Sequence, residues 1–447
     1  MSRHVPGTEP RILIAGGGIA GLTAALSLHA AGFEEITVIE AAREIQPVGA
    51  GLNIMPNAVR ELDALGLLER LDTTAVRTRE LRYYHRSGGL ISREPRGLGA
   101  GYSWPQLSVQ RGDLQMALAD AVRDRLGPHC LVPGVKVTAV GRIPDGSPRV
   151  ELRHRDEGAL ASLSPDVLIG ADGIRSVVRA ALNPGEGEPP WNGMLVWRGT
   201  TWMDADRAGT FMLIAGDNRQ KAVVYPMAEP AGGRVLVNWA LAMPADAVTG
   251  TGRGTAEGDD GRGDWNRSVP VTKFLHHYEG WVFDGVDVAE ILRGADSAYE
   301  YPMVDREPLS RWTHGRTTLI GDAAHAMYPI GSNGATQSIV DARALAHALA
   351  RSVTGGGGPA EGLLAYECDR RPAMTRLQLS NRQLGPEVVI SLAHERAPGG
   401  FTDIDDVIPA AELAAIAARY AAAGAFDTLA VNQGSPYEAG QLGVPVV

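Results

Sequence analysis

The sequence predicts an α/β fold: a mostly parallel sheet flanked by helices, interrupted by a mainly antiparallel β-sheet and followed by C-terminal helices. Three features predict it. The chain opens on a strand, a glycine turn, a helix and a second strand. Its middle third carries strand-like runs with no strong helix between them. Its last third returns to a buried strand followed by a long helix.

Residues 11–15 form a short apolar run, Gly16, Gly17 and Gly18 a turn, and 19–31 a helix of small and apolar residues. Gly32 ends that helix as a C-cap, and the second strand spans 36–40. This opening is a βαβ unit, which implies parallel strands and a right-handed crossover. Strands follow at 107–110, 135–140 and 167–171, with a helix near 113–125. The runs 194–197, 211–214, 222–225 and 235–240 alternate with turn residues, the pattern of an antiparallel sheet. Residues 249–263 are rich in Gly and Asp and read as a surface loop. A buried strand at 317–321, a helix at 335–351 and a linker at 354–359 follow. The implied division is one discontinuous domain over 1–185 and 300–400 and a β-sheet domain over 186–299. An Ala-rich helical stretch and a tail occupy 401–447, and the tail carries no functional signal.

At 447 residues the chain exceeds the roughly 250–300 that one core usually supports. Lys and Arg number 42 against 52 Asp and Glu, a net charge of −10. That balance argues against nucleic-acid binding, although one buried arginine can still hold a small anion. Cys130 and Cys368 form no CxxC pair, which argues against a redox dithiol and most structural zinc sites; they read as two isolated reduced thiols, with a structural bridge between them as the alternative. The polar residues 1–10 lack a signal-peptide core, and no apolar stretch reaches membrane-spanning length, so the protein reads as cytoplasmic. Monomer and homodimer both remain open.

Gly16-Gly17-Gly18-Ile19-Ala20-Gly21 fits GxGxxG between a strand and a helix. Gly16 permits the tight turn, Gly18 lets a pyrophosphate approach the backbone, and Gly21 lets the helix pack on the strand. The helix N-terminus offers N–H donors to phosphates, and Glu40, ending the second strand, is placed to accept from an adenosine ribose. No second GxGxxG follows a strand, which excludes enzymes with two dinucleotide domains.

Two later segments complete a set. Asp172-Gly173 runs through Ser176 to Arg179 as DGxxSxxR, and Gly321-Asp322-Ala323-Ala324-His325 leads into Pro329, Gly331, Asn333, Gly334 and Ala335 as GDAAH and PxGxNGA. In this order the motifs resemble the single-component (group A) flavoprotein aromatic hydroxylases over positions 11 to about 345. The resemblance implies a glutathione-reductase-type FAD-binding domain with an inserted substrate domain. It implies FAD as cofactor, NADH or NADPH as co-substrate, and O₂ passing through a flavin C4a-hydroperoxide to an aromatic ring. Asp322 would bind the ribityl chain. Asp172 and its segment would support the pyrophosphate, and Arg111 would reach the phosphates and flavin side. The 49–57 stretch with Gly51 would lie along the isoalloxazine, with Val137 beside the nucleotide. Gly331 and Gly334 would leave room for the flat ring, and the dipole of the helix at 335–351 would face its N1–C2 edge. Trp197-Arg198-Gly199, Tyr301 to Arg306, and Tyr366-Glu367 with Arg370-Arg371-Pro372 are most similar to salicylate-hydroxylase-like members, near the phenazine hydroxylases of the pyocyanin type.

The substrate is then expected to be a small aromatic or heteroaromatic compound, with oxidative decarboxylation if the attacked carbon bears a carboxylate. Pro329 is expected near the reacting flavin edge, with Arg198, Met212, Tyr225 and Trp239 as substrate contacts and no general base identified. His325 reads as structural or flavin-adjacent. Alternation puts Tyr225 and Val223 on one face of their strand without saying which face meets the flavin. The competing readings are an epoxidase, halogenase or reductase of the same fold, or a non-catalytic flavin sensor. The WxWxIP motif of flavin halogenases is absent.

Overall fold

The computed structural model describes residues 9–438 apart from 47–49, 156–157, 159, 229–231, 250–266 and 296. Most of the expected loop at 249–263 lies outside the described residues.

The short apolar runs assemble because each is buried on both faces, the condition that favours parallel strands. The five-stranded parallel sheet runs Thr317–Leu319, Val167–Gly170, Ile12–Ala15, Ile36–Glu40, Leu131–Pro133. Strands from both ends of the sequence therefore lie side by side, and their C-terminal ends share one edge. Ile12, Leu13, Ile14, Ala15 and Val167 to Ile169 are almost wholly buried. Helix Ile19–Ala30 is buried nearly all round by the long helix Asn333–Thr354 and by Arg111–Leu126. Its small residues permit that contact. The long helix packs in turn on Pro359–Arg382, which starts with Pro at its first position.

The second sheet has eight strands, in the order Ser268–Val269, Ala298–Val304, Trp191–Asp204, Arg234–Pro244, Lys221–Pro226, Phe211–Gly216, Glu80–His85, Leu90–Pro95. It is antiparallel except where Phe211–Gly216 runs parallel to Glu80–His85. Two of its strands therefore come from well before residue 186, which the expected division did not foresee. Long-range pairing of this kind leaves no local trace in the sequence.

One face of this sheet is closed by Trp197, Trp239, Phe274, Tyr278 and Trp281, beneath helix Val288–Arg293. The other face is covered by the parallel-sheet domain and by the C-terminal helices Val388–Arg396 and Ala410–Gly424, through Met212, Tyr225, Ile390 and Ile416. Both cysteines are free, Cys130 buried and Cys368 exposed. Among the described residues no helix is long and apolar enough to cross a membrane.

The C-terminal cover meets the sheet edge through two histidines: His85 Nε2 lies 3.0 Å from His394 Nδ1, with the rings stacked. Burial lowers the His85 pKa, His394 and Arg86 lower it further, and Asp217 opposes them. Burial also lowers His277, His314 and His347. Each holds a proton less readily in the fold than when unfolded. This stability is therefore present above the ordinary histidine pKa, about 6.5, and lost as pH falls below it. Thermal melts should show Tm falling between about pH 8 and pH 5.5, and His85→Gln should flatten that slope; an unchanged slope would contradict the coupling.

Candidate functional site

Four of the five parallel strands end in a motif residue at the same edge. Ile12–Ala15 delivers Gly16, Ile36–Glu40 ends on Glu40, Val167–Gly170 leads to Asp172, and Thr317–Leu319 leads to Gly321 and Asp322. Ligands of open α/β sheets collect at this edge. Gly16 has φ +109°, and an added Cβ would sit 2.3 Å from the Ala171 carbonyl oxygen. A Cβ on Gly21 would lie 1.9 Å from the Gly16 oxygen, so the helix must approach there as glycine. Around Gly18 the space is open. Glu40 accepts from the Gly17 N–H and the Ala42 N–H, both at 2.7 Å, which places its carboxylate under the glycine turn.

Side-chain caps are few among the described helices, and Pro56–Ala64 and Val388–Arg396 lack both a cap and a first-turn acid. Ser176, Asp287 and Asp427 cap their helices with side-chain oxygens. Helices Ile19–Ala30 and Asn333–Thr354 have no side-chain cap and no acid in their first turn. Their leading N–H groups are left for an anion or a polar ring edge. Ile19, Ala20 and Gly21 open the first, and Gly334 and Ala335 lie in the first turn of the second, with open space around Gly334. Gly321 joins the two: its added Cβ would meet Ala20 and Ser338, each at 2.9 Å. Asp322 is exposed beside them, and its side chain has no hydrogen bond or ion pair among the described residues; neither has the side chain of Arg111, whose backbone N–H is held by the Ala50 oxygen at 3.2 Å.

The DGxxSxxR segment acts from within. Half-buried Asp172 accepts from Ser176 Oγ, from the Val177 N–H at 2.7 Å and from the Val178 N–H at 3.3 Å, capping the short helix Val177–Leu182. Burial raises its pKa against those bonds. Arg179 is fully buried, ion-paired with Glu186, and donates to the Ala323 and Ala324 oxygens at 3.1 and 2.8 Å. The DG segment thereby fixes the GDAAH segment, a link the motifs alone did not reveal. Val137 is buried in the three-stranded sheet beside Ile36–Glu40.

The face of the large sheet turned to this edge carries Arg198, Tyr225, Asn238 and Tyr301. Cross-strand register puts Tyr225 opposite Asn238 and Tyr301 opposite Val196, which shares a face with Arg198 two residues on. A Cβ on Gly51 would meet Asn238 and Tyr225 at 2.8 Å, so strand Gly51–Ile54 lies directly on this face. The Gly51 N–H donates to Asn238 Oδ1 at 2.8 Å. Burial raises the pKa of Tyr225 well above the usual phenol value and also raises that of Tyr301, opposed by Arg198 in both and by Arg111 in Tyr301. The Arg198 guanidinium stands 5.5 Å over the Tyr301 ring, and its Nε is buried without a hydrogen-bond partner.

Three expectations need correction. Trp239 is on the opposite face, packed on Gly199 and bonded to Thr201 Oγ1 at 3.1 Å, so it is core. Met212 is on the site's face but buried in the cluster under helix Val388–Arg396, apart from Arg198. Gly331 does not leave room for a ring: its Cβ position lies 2.2 Å from Tyr420 Oη. Pro329 is exposed in the turn before Ser332, and His325 is fully buried against Asp341.

The chain matches the FAD binding domain family over residues 9–257 and 297–379. It belongs to that family. It is 41% identical, over 84% of its length and 90% of the relative's, to the phenazine 1,6-dicarboxylic acid hydroxylase of Lysobacter antibioticus. It is 30% identical to a salicylate hydroxylase of Pseudomonas putida, over 84% of each. Among solved structures, PqsL of Pseudomonas aeruginosa in complex with 2-aminobenzoylacetate covers 86% of this chain and 98% of its own, with a TM-score of 0.69 at 20% identity, a likeness of fold. The chain is thus an FAD-binding oxidoreductase of the monooxygenase type. The open backbone at Gly18 and Gly334 and the unpaired Asp322 and Arg111 fit FAD: phosphates at the first helix, ring edge at the second.

Asp322→Ala should raise the FAD dissociation constant about 10- to 100-fold, the loss expected for a charge-assisted hydrogen bond of roughly 1.5–3 kcal/mol. Flavin content after gel filtration reads this directly; a fully flavinylated variant would remove Asp322 from the ribityl role.

Proposed function

We propose that this protein hydroxylates a small aromatic or heteroaromatic carboxylate, using bound FAD with NADH or NADPH and O₂. The observation that carries this reading is Arg198, whose buried Nε lacks a partner on the sheet face that meets strand Gly51–Ile54. A half-buried guanidinium whose buried Nε has no partner favours an anionic ligand. Tyr225 and Tyr301 flank it with phenols that stay protonated, so they donate to a carboxylate or phenolate without adding charge. The relatives named phenazine dicarboxylic acid hydroxylase and salicylate hydroxylase act on aromatic carboxylates, which supports the same class here.

When bound, the flavin supplies hydride acceptance and oxygen activation. The protein's own residues set the geometry. The carboxylate is held at Arg198, and the ring lies between the tyrosines and the turn bearing Pro329. The tightly packed Gly51–Asn238 contact excludes water on that side. The first N–H groups of Asn333–Thr354 face the site with positive partial charge, favouring negative charge on the group bound there.

The test is NADH and NADPH oxidation in air by the flavin-loaded protein, with aromatic carboxylates added singly and peroxide quantified. Strong stimulation with little peroxide is expected from at least one carboxylate; stimulation by none would refute the reading. Arg198→Met should raise KM for that carboxylate about 10- to 100-fold and spare an uncharged analogue. Equal losses for both would place Arg198 outside substrate recognition.

A further inference from the structure

The C-terminal helix Ala410–Gly424 lies beyond the residues matched to the family, yet it inserts a side chain beneath the flavin-facing turn. Tyr420 is 6% exposed and enters a socket made by two glycines. A Cβ on Gly331 would fall 2.2 Å from its hydroxyl, and one on Gly385 2.8 Å from its ring. Both glycines have positive φ, +65° and +48°. The socket is therefore shaped for this ring and would not accept it beside any larger residue.

The hydroxyl is fully engaged. It accepts from Asn333 Nδ2 at 2.8 Å and donates to Asn381 Oδ1 at 2.8 Å, with the Ile330 oxygen at 3.2 Å. Asn381 Nδ2 in turn holds the Tyr328 and Ile330 oxygens at 3.3 and 3.2 Å. Asn333 is the first residue of the long helix, and Ser332 before it sits at φ +59°, a left-handed conformation that a non-glycine residue keeps only when its surroundings impose it. The same hydroxyl thus touches both flanks of the strained residue, the turn around Pro329 and the start of the helix.

We infer that Tyr420 is a positioning residue for the flavin: it fixes the Tyr328–Asn333 turn so that the uncapped end of the long helix is aimed at the ring edge. It makes no contact with substrate and acts through Asn333 and Asn381. The inference uses FAD binding and does not depend on which aromatic compound is the substrate.

The experiment compares holoenzymes of Tyr420→Phe, which removes only the hydroxyl, and Ile416→Val, a core change on the same helix away from the turn. Asn381→Ala is the second route to the same loss. Tyr420→Phe and Asn381→Ala should release FAD about 10-fold more readily on dilution and lower the flavin midpoint potential, because misaimed amides stabilise the charge of the reduced ring less. Ile416→Val should lower Tm while leaving both flavin properties unchanged. If Tyr420→Phe and Asn381→Ala shift potential and FAD release no more than Ile416→Val does, Tyr420 is a packing residue and the inference fails. Normal substrate-stimulated NAD(P)H oxidation in that case would leave the hydroxylase reading standing. A wild-type chain that binds no FAD would overturn both.

Discussion

The site depends on one buried carboxylate. Asp341, on the long helix, is fully buried and accepts from the Gly321 N–H at 3.1 Å, from His325 Nε2 and from Arg370 Nε at 2.9 Å. Burial pushes its pKa up, but His325 and Arg370 outweigh that and hold it below the usual carboxylate range. An unpartnered charge here would cost several kcal/mol, so these bonds form together or the region does not pack. Through them the GD turn, the GDAAH helix and helix Pro359–Arg382 are tied to one point. Arg370 also donates to Gln337 Oε1 at 2.7 Å, and Gln337 Nε2 to Asn333 Oδ1 at 3.1 Å, carrying the constraint to the helix N-terminus.

That constraint explains how two helix ends can stay uncapped side by side. Unsatisfied N–H groups are tolerated at a surface facing solvent or a ligand, but their direction is worth nothing unless the helices are immobile. Arg179 clamps the GDAAH carbonyls from below, and Gly321 lets Ala20 and Ser338 close on each other from the sides. The large sheet then supplies what the parallel-sheet domain lacks. Arg198, Tyr225 and Tyr301 stand on the sheet face brought to the same place by the contact of Gly51 with Tyr225 and Asn238.

Much of this was legible in the sequence because it is local. The βαβ opening and the long helix stand within a few residues of their expected positions, and the middle-sheet strands fall where expected but run longer, to Asp204 and Pro244 in the two longest. Gly16 could be read as a turn glycine and Gly21 as a close-approach glycine from spacing alone. What lay hidden is long-range. Strand alternation groups Tyr225 with Val223 but does not say which face meets the parallel-sheet domain, so Trp239 on the far face looked as eligible as Arg198. The pairing of Glu80–His85 with Phe211–Gly216 bridges more than a hundred residues, and nothing near either strand announces it. Gly331 suggested room for a ring, whereas the occupant is Tyr420, from a helix whose small Ala-rich residues gave no functional signal.

The most direct test of the account is a crystal structure of the flavin-loaded protein with an aromatic carboxylate bound. The account predicts the pyrophosphate at the N-terminus of Ile19–Ala30 and the isoalloxazine edge at the first turn of Asn333–Thr354. It also predicts the carboxylate on Arg198, between the flavin and the Tyr225–Tyr301 face. A flavin ring turned away from Gly334, or a carboxylate bound without Arg198, would contradict it.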